Sequence, residues 1–178
     1  MSKYVWFDIE TTGLNPDVDL ILAWGARITD EKLNVLAEKE VVVYRSDAAI
    51  GVIGVSDYVK DMHTKNGLWE KVRASPVDAI EAGVLLDNFL TTHLGGEQGI
   101  LAGSSVHFDR SFVRATWPDV PKHLSHRHLD VSVFKVLAGP WGLPWAEIEA
   151  AHTPLADVDA SIAHFEAMRM FLRPEMAP

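Results

Sequence analysis

The run Lys3-Tyr4-Val5-Trp6-Phe7-Asp8-Ile9-Glu10, with Thr11-Thr12-Gly13-Leu14-Asn15-Pro16-Asp17 behind it, decides how the rest of this chain is read. Residues 3–9 are apolar, aromatic and β-branched, the composition of a strand buried on both faces. Gly13 and Asn15-Pro16 then break it into a turn. In a strand, side chains at i and i+2 share a face, so Asp8 and Glu10 project side by side. Carboxylates are seldom buried unless paired or bound to a metal, because desolvating the ionised form is costly. Two adjacent anions repel, and a hard divalent cation such as Mg²⁺ or Mn²⁺ removes that repulsion. A strand end whose acids face water also accounts for the pair.

Outward from this strand, residues 19–29 and 33–43 read as two more, joined by the short polar link Thr29-Asp30-Glu31-Lys32 as an antiparallel hairpin. Ser75-Pro76 resembles an N-cap with proline at the first helical position, and Val77, Ile80, Val84, Phe89 and Leu94 carry a helical period up to Gly95-Gly96. Ile100–Gly103 reads as a buried strand and Phe108–Ala115 as a short helix. Leu129–Val133 suits a last strand, or the lead into a helix reaching Leu137. Thr153-Pro154 opens a final helix whose stripe is Val158, Ile162, Phe165 and Leu172. The expected fold is α/β: a mixed central sheet with antiparallel leading strands, flanked by helices, in one domain over residues 1–178.

Composition sets outer limits. The 178 residues are 48% hydrophobic and 23% charged, which excludes a disordered or collagen-like chain. There is no cysteine, hence no disulfide and no thiolate metal site. No apolar run approaches the roughly 20 residues of a bilayer span, and Asp8 interrupts any signal-like run, so a cytoplasmic protein is expected. The net charge of −9 argues against a partner that needs a basic surface, such as a long nucleic acid.

Two further places carry chemistry. Asp109, in Ser104-Ser105-Val106-His107-Phe108-Asp109-Arg110, follows a strand and opens a helix, where an aspartate also simply complements the helix dipole. His152 and Asp157 bracket the start of the last helix, and a histidine there is suited to take a proton from water near neutral pH. A surface histidine and a dipole-complementing aspartate explain them too. Lys122-His123 and His126-Arg127-His128 read as a weakly basic, phosphate-facing surface rather than a zinc site. Trp117, Trp141 and Trp145 read as packing or interface residues.

Taken in order, Asp8-x-Glu10, Asp109, and His152-x4-Asp157 resemble the DEDDh family of 3′→5′ exonucleases, with their RNase H-like fold. Longer blocks narrow this to the oligoribonucleases: Trp6–Pro16, Ile28–Glu38, Met62-His63-Thr64-Lys65-Asn66-Gly67-Leu68 and Arg127-His128-Leu129-Asp130-Val131-Ser132. The resemblance implies that Asp8, Glu10, Asp109 and Asp157 hold two divalent cations, Mg²⁺ or Mn²⁺, with His152 as general base. It also implies a base-contacting wedge at Leu14 and Tyr58, the latter where tryptophan is usual. His63, Ser105, Arg127 and Ser132 match pocket or 5′-phosphate contacts, and His126 stands where a tyrosine is offered to the neighbouring subunit. Ala156 and Phe108 also depart from the oligoribonuclease pattern. The implied activity is metal-dependent 3′→5′ cleavage of short single-stranded RNA, dinucleotides included, to 5′-mononucleotides by a homodimer; trimming of longer single-stranded DNA or RNA is the alternative.

Overall fold

A computed structural model describes residues 2–142, 148 and 151–172. Strands β1 (Tyr4–Thr11), β2 (Ile21–Thr29) and β3 (Val35–Val42) form an antiparallel meander. Its β2–β3 turn is built by Asp30, whose Oδ1 accepts the backbone N–H groups of Lys32 and Asn34 at 2.8 and 2.9 Å. Strand β4 (Gly99–Gly103) lies parallel to β1, and β5 (Leu124–Asp130) parallel to β4, giving the order β3-β2-β1-β4-β5. The mixed sheet with antiparallel leading strands is therefore as expected.

The alternation along β1 sorts its side chains between two cores. Val5, Phe7 and Ile9 join Leu86, Phe89 and Leu90 of helix α4 (Ala79–Leu94) and Phe112 and Val113 of α5 (Val106–Thr116). Trp6 faces the other way, against Val131 and against Val158 of α7 (Pro154–Leu172), with Phe165 at its ring. It is fully buried, and its indole N–H donates to the Thr29 hydroxyl at 3.0 Å. That hydrogen bond removes the penalty of burying a polar tip inside an apolar ring. Asp8 and Glu10 follow Trp6 on this face and so look toward the N-terminus of α7.

Two devices hold α7 against the sheet. Gly25, the β2 neighbour of Asp8, would place a Cβ 2.7 Å from the Pro154 side chain and 2.9 Å from the Leu155 nitrogen. Only the missing side chain lets the first turn of α7 come this close. Further along β2, Arg27 pairs with Glu38 on β3 and reaches across to Asp159 on α7.

The structure corrects several boundaries. Helices α1 (Asp47–Ile53), α2 (Asp57–Lys65) and α3 (Leu68–Ala74) occupy a segment for which no helix was expected. Each is too short to build a legible period; the signals of α1 and α2 were the N-caps Ser46 and Ser56, whose hydroxyls accept from Ala49 and Val59, while α3 starts behind Gly67 with no side-chain cap. Helix α4 starts at Ala79 behind Asp78, which accepts from Ile80 and Glu81, and not at Ser75-Pro76. The Ser75 hydroxyl instead donates to the Val42 carbonyl at 2.7 Å. Strand β5 begins at Leu124, ahead of the expected 129–133, and α6 (Ser132–Trp141) runs past Leu137 and through Pro140. Trp117 packs in the core, Trp141 is exposed, and Trp145 lies outside the described residues. Among the described residues no helix is long and apolar enough to cross a membrane.

Candidate active site

Strands β1 and β4 pair only over Tyr4–Trp6 and Ile100–Ala102. Past that point they part, and the crevice beyond the carboxyl ends of two parallel strands is where open α/β sheets bind ligands. Gly103 makes the parting possible: at φ 153° its missing Cβ would sit 2.8 Å from the Phe7 carbonyl oxygen. The chain then turns through Ser105, in the left-handed region at φ 59°, into α5. Asp109 is buried on the first turn of that helix, and its Oδ1 accepts the Ile9 N–H at 3.1 Å. A side chain thus replaces the missing strand and pins Asp109 between the backbone positions of Asp8 and Glu10.

From the other side, α7 brings Asp157 to the same place. Its Oδ1 accepts the Ala151 N–H at 2.9 Å, folding the preceding loop back over the helix start. His152 in that loop has φ 51°, a conformation that costs a non-glycine residue about 1–3 kcal/mol and persists only where its surroundings impose it. Ligand atoms of Glu10, His152 and Asp157 all lie within 4.8 Å of one another, a convergence suited to a divalent cation.

The electrostatics point the same way. Burial first, then Asp109, Glu10 and Asp157, holds the Asp8 carboxyl well above the ordinary carboxylate range. Burial, then Asp157 and Asp109, raises Glu10 to about 8. Burial also raises Asp109 to about 8 against the opposing hydrogen bonds from its own N–H and that of Ile9. Asp157 is raised by burial as well, despite the N–H donors of its loop and nearby His152. Four acids raised chiefly by burial, two of them also by the other acids of the cluster, would ionise more readily beside a bound cation.

Cavities flank the cluster on both sides. One, about 640 Å³, runs from Glu10 and His152 to Leu14, Tyr58 and Phe108. Leu14 is held out, 83% exposed, on a loop tied by Asp19, which accepts from the Thr12 hydroxyl and the Asn15 N–H at 2.9 Å each. The other, about 320 Å³, is lined by Asp8, Glu10, Ser104, Ser132, Lys135, Asp157 and His164.

The structure thus gathers Asp8, Glu10, Asp109, Asp157 and His152, with Leu14 and Tyr58 on one flank and Ser132 on the other. His63 adjoins the cluster, its Nε2 3.8 Å from Glu10 Oε2, while Ser105, His126 and Arg127 lie outside the walls of the two cavities. His63 is fully buried behind Glu10, its Nε2 3.2 Å from the Thr11 carbonyl and its Nδ1 without a partner. The N–H groups of Ser105 and Ser132 and the Ser132 hydroxyl all donate to Asp130 Oδ1, at 2.9, 3.0 and 2.7 Å. His126 and Arg127 are exposed on β5, the outer strand of the sheet. Among the described residues, His123 and His128 form no metal cluster: His123 binds Asp87 at 2.9 Å and His128 lies 3.3 Å from Arg110. Sequence reasoning missed Lys135 and His164; their only signal is helical spacing, Lys135 three residues beyond Ser132 and His164 seven beyond Asp157.

A β-meander continued by parallel strands, with a carboxylate crevice at their ends, defines a nuclease class, and the RNase T exonuclease family model matches residues 5–165. An oligoribonuclease from Chromobacterium violaceum is 38% identical over 96% of this chain and 93% of its own. One from Mycobacterium ulcerans is 36% identical over 94% and 80%. The chain belongs to the oligoribonucleases of this exonuclease family. The fold is also shared with Escherichia coli exonuclease I in complex with a dT13 oligonucleotide, at TM-score 0.66 and 17% identity. That match covers 99% of this chain, which spans only 42% of the exonuclease I chain.

Proposed function

We propose that the chain is a metal-dependent 3′→5′ exoribonuclease that hydrolyses short oligoribonucleotides, dinucleotides among them, to 5′-mononucleotides. The observation that carries this is the convergence of Glu10, His152 and Asp157 within 4.8 Å beside half-buried Asp8 and buried Asp109. Asp8, Glu10, Asp109 and Asp157 would hold two divalent cations, Mg²⁺ or Mn²⁺. Such a pair, when bound, acidifies water and neutralises charge on the attacking and leaving oxygens of an in-line displacement. His152, at the mouth of both cavities, takes the proton of the attacking water on its ring nitrogen. The water oxygen bonds to phosphorus as the P–O3′ bond breaks; the phosphate stays on the released 3′-terminal nucleotide, and the departing 3′-oxygen takes a proton from solvent to become the hydroxyl of the shortened chain.

Leu14 and Tyr58 grip the bases, and stacking on Tyr58 accepts any base because each has a π-face. The opposite cavity takes phosphate, with Ser132 at its wall. The enzyme works as a cytoplasmic homodimer in which His126, exposed on β5, is offered to the neighbouring subunit's site. A second reading, cleavage of longer single strands, is favoured by the exposure of His126 and Arg127 on that outer strand. Relative rates on 5′-phosphorylated RNA of increasing length decide between them. Hydrolysis by the wild type with Mn²⁺, absent in Asp157→Asn, tests the nuclease reading itself.

A further inference from the structure

We propose that Asn66 is a positioning residue for His152, coupling the α2–α3 corner to the general base. The side-chain amide closes the gap between two parts of the molecule that share no secondary structure. Its Nδ2 donates to the His152 carbonyl at 2.6 Å, and its Oδ1 accepts the Leu68 N–H at 3.0 Å. The second bond fixes the orientation of the amide, because an oxygen must face the Leu68 donor and so the NH₂ must face the His152 carbonyl. The backbone of Asn66 is itself locked, its N–H donating to Met62 at the end of α2 and Gly67 continuing the turn at φ 72°. Asn66 is therefore a rigid bracket, not a flexible surface amide.

What it holds is His152, a non-glycine residue at φ 51° whose conformation needs outside support. Asp157 restrains the same loop from the other side through the Ala151 N–H. Asp157, however, belongs to the cation-binding set, whereas Asn66 has no other duty among the described contacts than Leu68 and His152. Fixing the His152 carbonyl fixes the direction in which Cα–Cβ leaves the loop, and thereby where the imidazole can sit. Tyr58 rides on the same helix α2 that ends at Asn66, so the base-gripping wall and the proton acceptor are built as one unit.

This inference rests on the general-base role of His152, and its test separates the two. Asn66→Asp keeps the acceptor for Leu68 but cannot donate to the carbonyl; Asn66→Ala loses both bonds. With 5′-phosphorylated diadenylate and Mn²⁺, Asn66→Asp is expected to lower kcat roughly tenfold to a hundredfold. KM and the Mn²⁺ concentration for half-maximal rate stay within about twofold, and the pH dependence of kcat changes shape. In the His152→Ala background the same substitution has no further effect on kcat. The His152 imidazole resonance of the metal-free protein, followed by NMR through its pH titration, shifts in Asn66→Asp while the Tm falls by no more than in Asn66→Ala. Wild-type kcat in Asn66→Asp, or an additive loss in the double variant, overturns the proposal and leaves the nuclease reading standing. If the wild type hydrolyses no oligonucleotide, the nuclease reading fails, and an unmoved His152 resonance then refutes the bracket independently.

Discussion

The cavities on either side of the carboxylates are built from opposite materials. Toward Leu14, Tyr58 and Phe108 the wall is apolar and aromatic, raised on loop and helix segments outside the sheet. Toward Ser132, Lys135 and His164 it is polar, carried by two helices whose apolar faces grip the sheet. The first surface can hold a base without reading its hydrogen-bonding edge; the second can hold phosphate without knowing the base. His152 and Glu10 line both cavities, so on the proposed reading a scissile phosphate would lie between them, with the base on the apolar side. That arrangement reconciles a net charge of −9 with a nucleic-acid substrate. On the proposed reading, cations held at the acids would supply the attraction locally, and no basic track along a long strand would be required.

The comparison is broken most severely at its centre. Asp157→Asn should lower the rate on a dinucleotide by about 10²–10³-fold or more in a single-turnover assay, leaving both flanking cavities intact. His152→Ala should follow with a loss of about 10²-fold, while Mn²⁺ still binds by calorimetry; an unchanged rate at neutral pH removes the general-base role. On the apolar flank, Tyr58→Ala should raise KM by roughly tenfold, the scale of one base–aromatic stack, and change kcat far less. A matching loss in kcat would mean that Tyr58 acts on the chemistry and not on grip.

The smallest effect is on stability. Glu10 and Asp109 titrate near 8 in the folded metal-free chain, against ordinary values of 4.5 and 3.8. Between those limits the folded state holds protons that the unfolded state has released, so stability is greatest below the ordinary values and declines as pH rises through about 8. Thermal melts without divalent ions should therefore show Tm falling from mildly acidic to mildly alkaline pH. Saturating Mn²⁺ should raise Tm most at the alkaline end, because cation binding displaces those protons. A metal-free Tm that rises over this range contradicts the burial of these acids in their protonated form.

Strand and helix periods made the placement of the central residues legible in the sequence, but only the family resemblance joined them into one site. Asp8 and Glu10 share a face by alternation, and Asp109 and Asp157 each sit in the first turn of a helix that follows a break. The flanks were less so. Helices α1, α2 and α3 have 7, 9 and 7 residues, too few for a period, and they set where Tyr58 and Asn66 stand. His63 lies in the same stretch, and nothing in its neighbours announces that its ring is sealed behind Glu10 with one nitrogen unpartnered. Asn66 carries no sequence signal of its own within Met62–Leu68. Its function is a bond to a residue 86 positions away, and no local pattern encodes that separation.

The most direct test of the account is the rate constant for 5′-phosphorylated RNA from two to about ten nucleotides long, measured with Mn²⁺ under single-turnover conditions. The account predicts the highest rate on the dinucleotide and a decline with length, because grip and phosphate recognition are complete within the two cavities. A rate that is flat or rises with length would contradict it and assign the site to processing of longer strands.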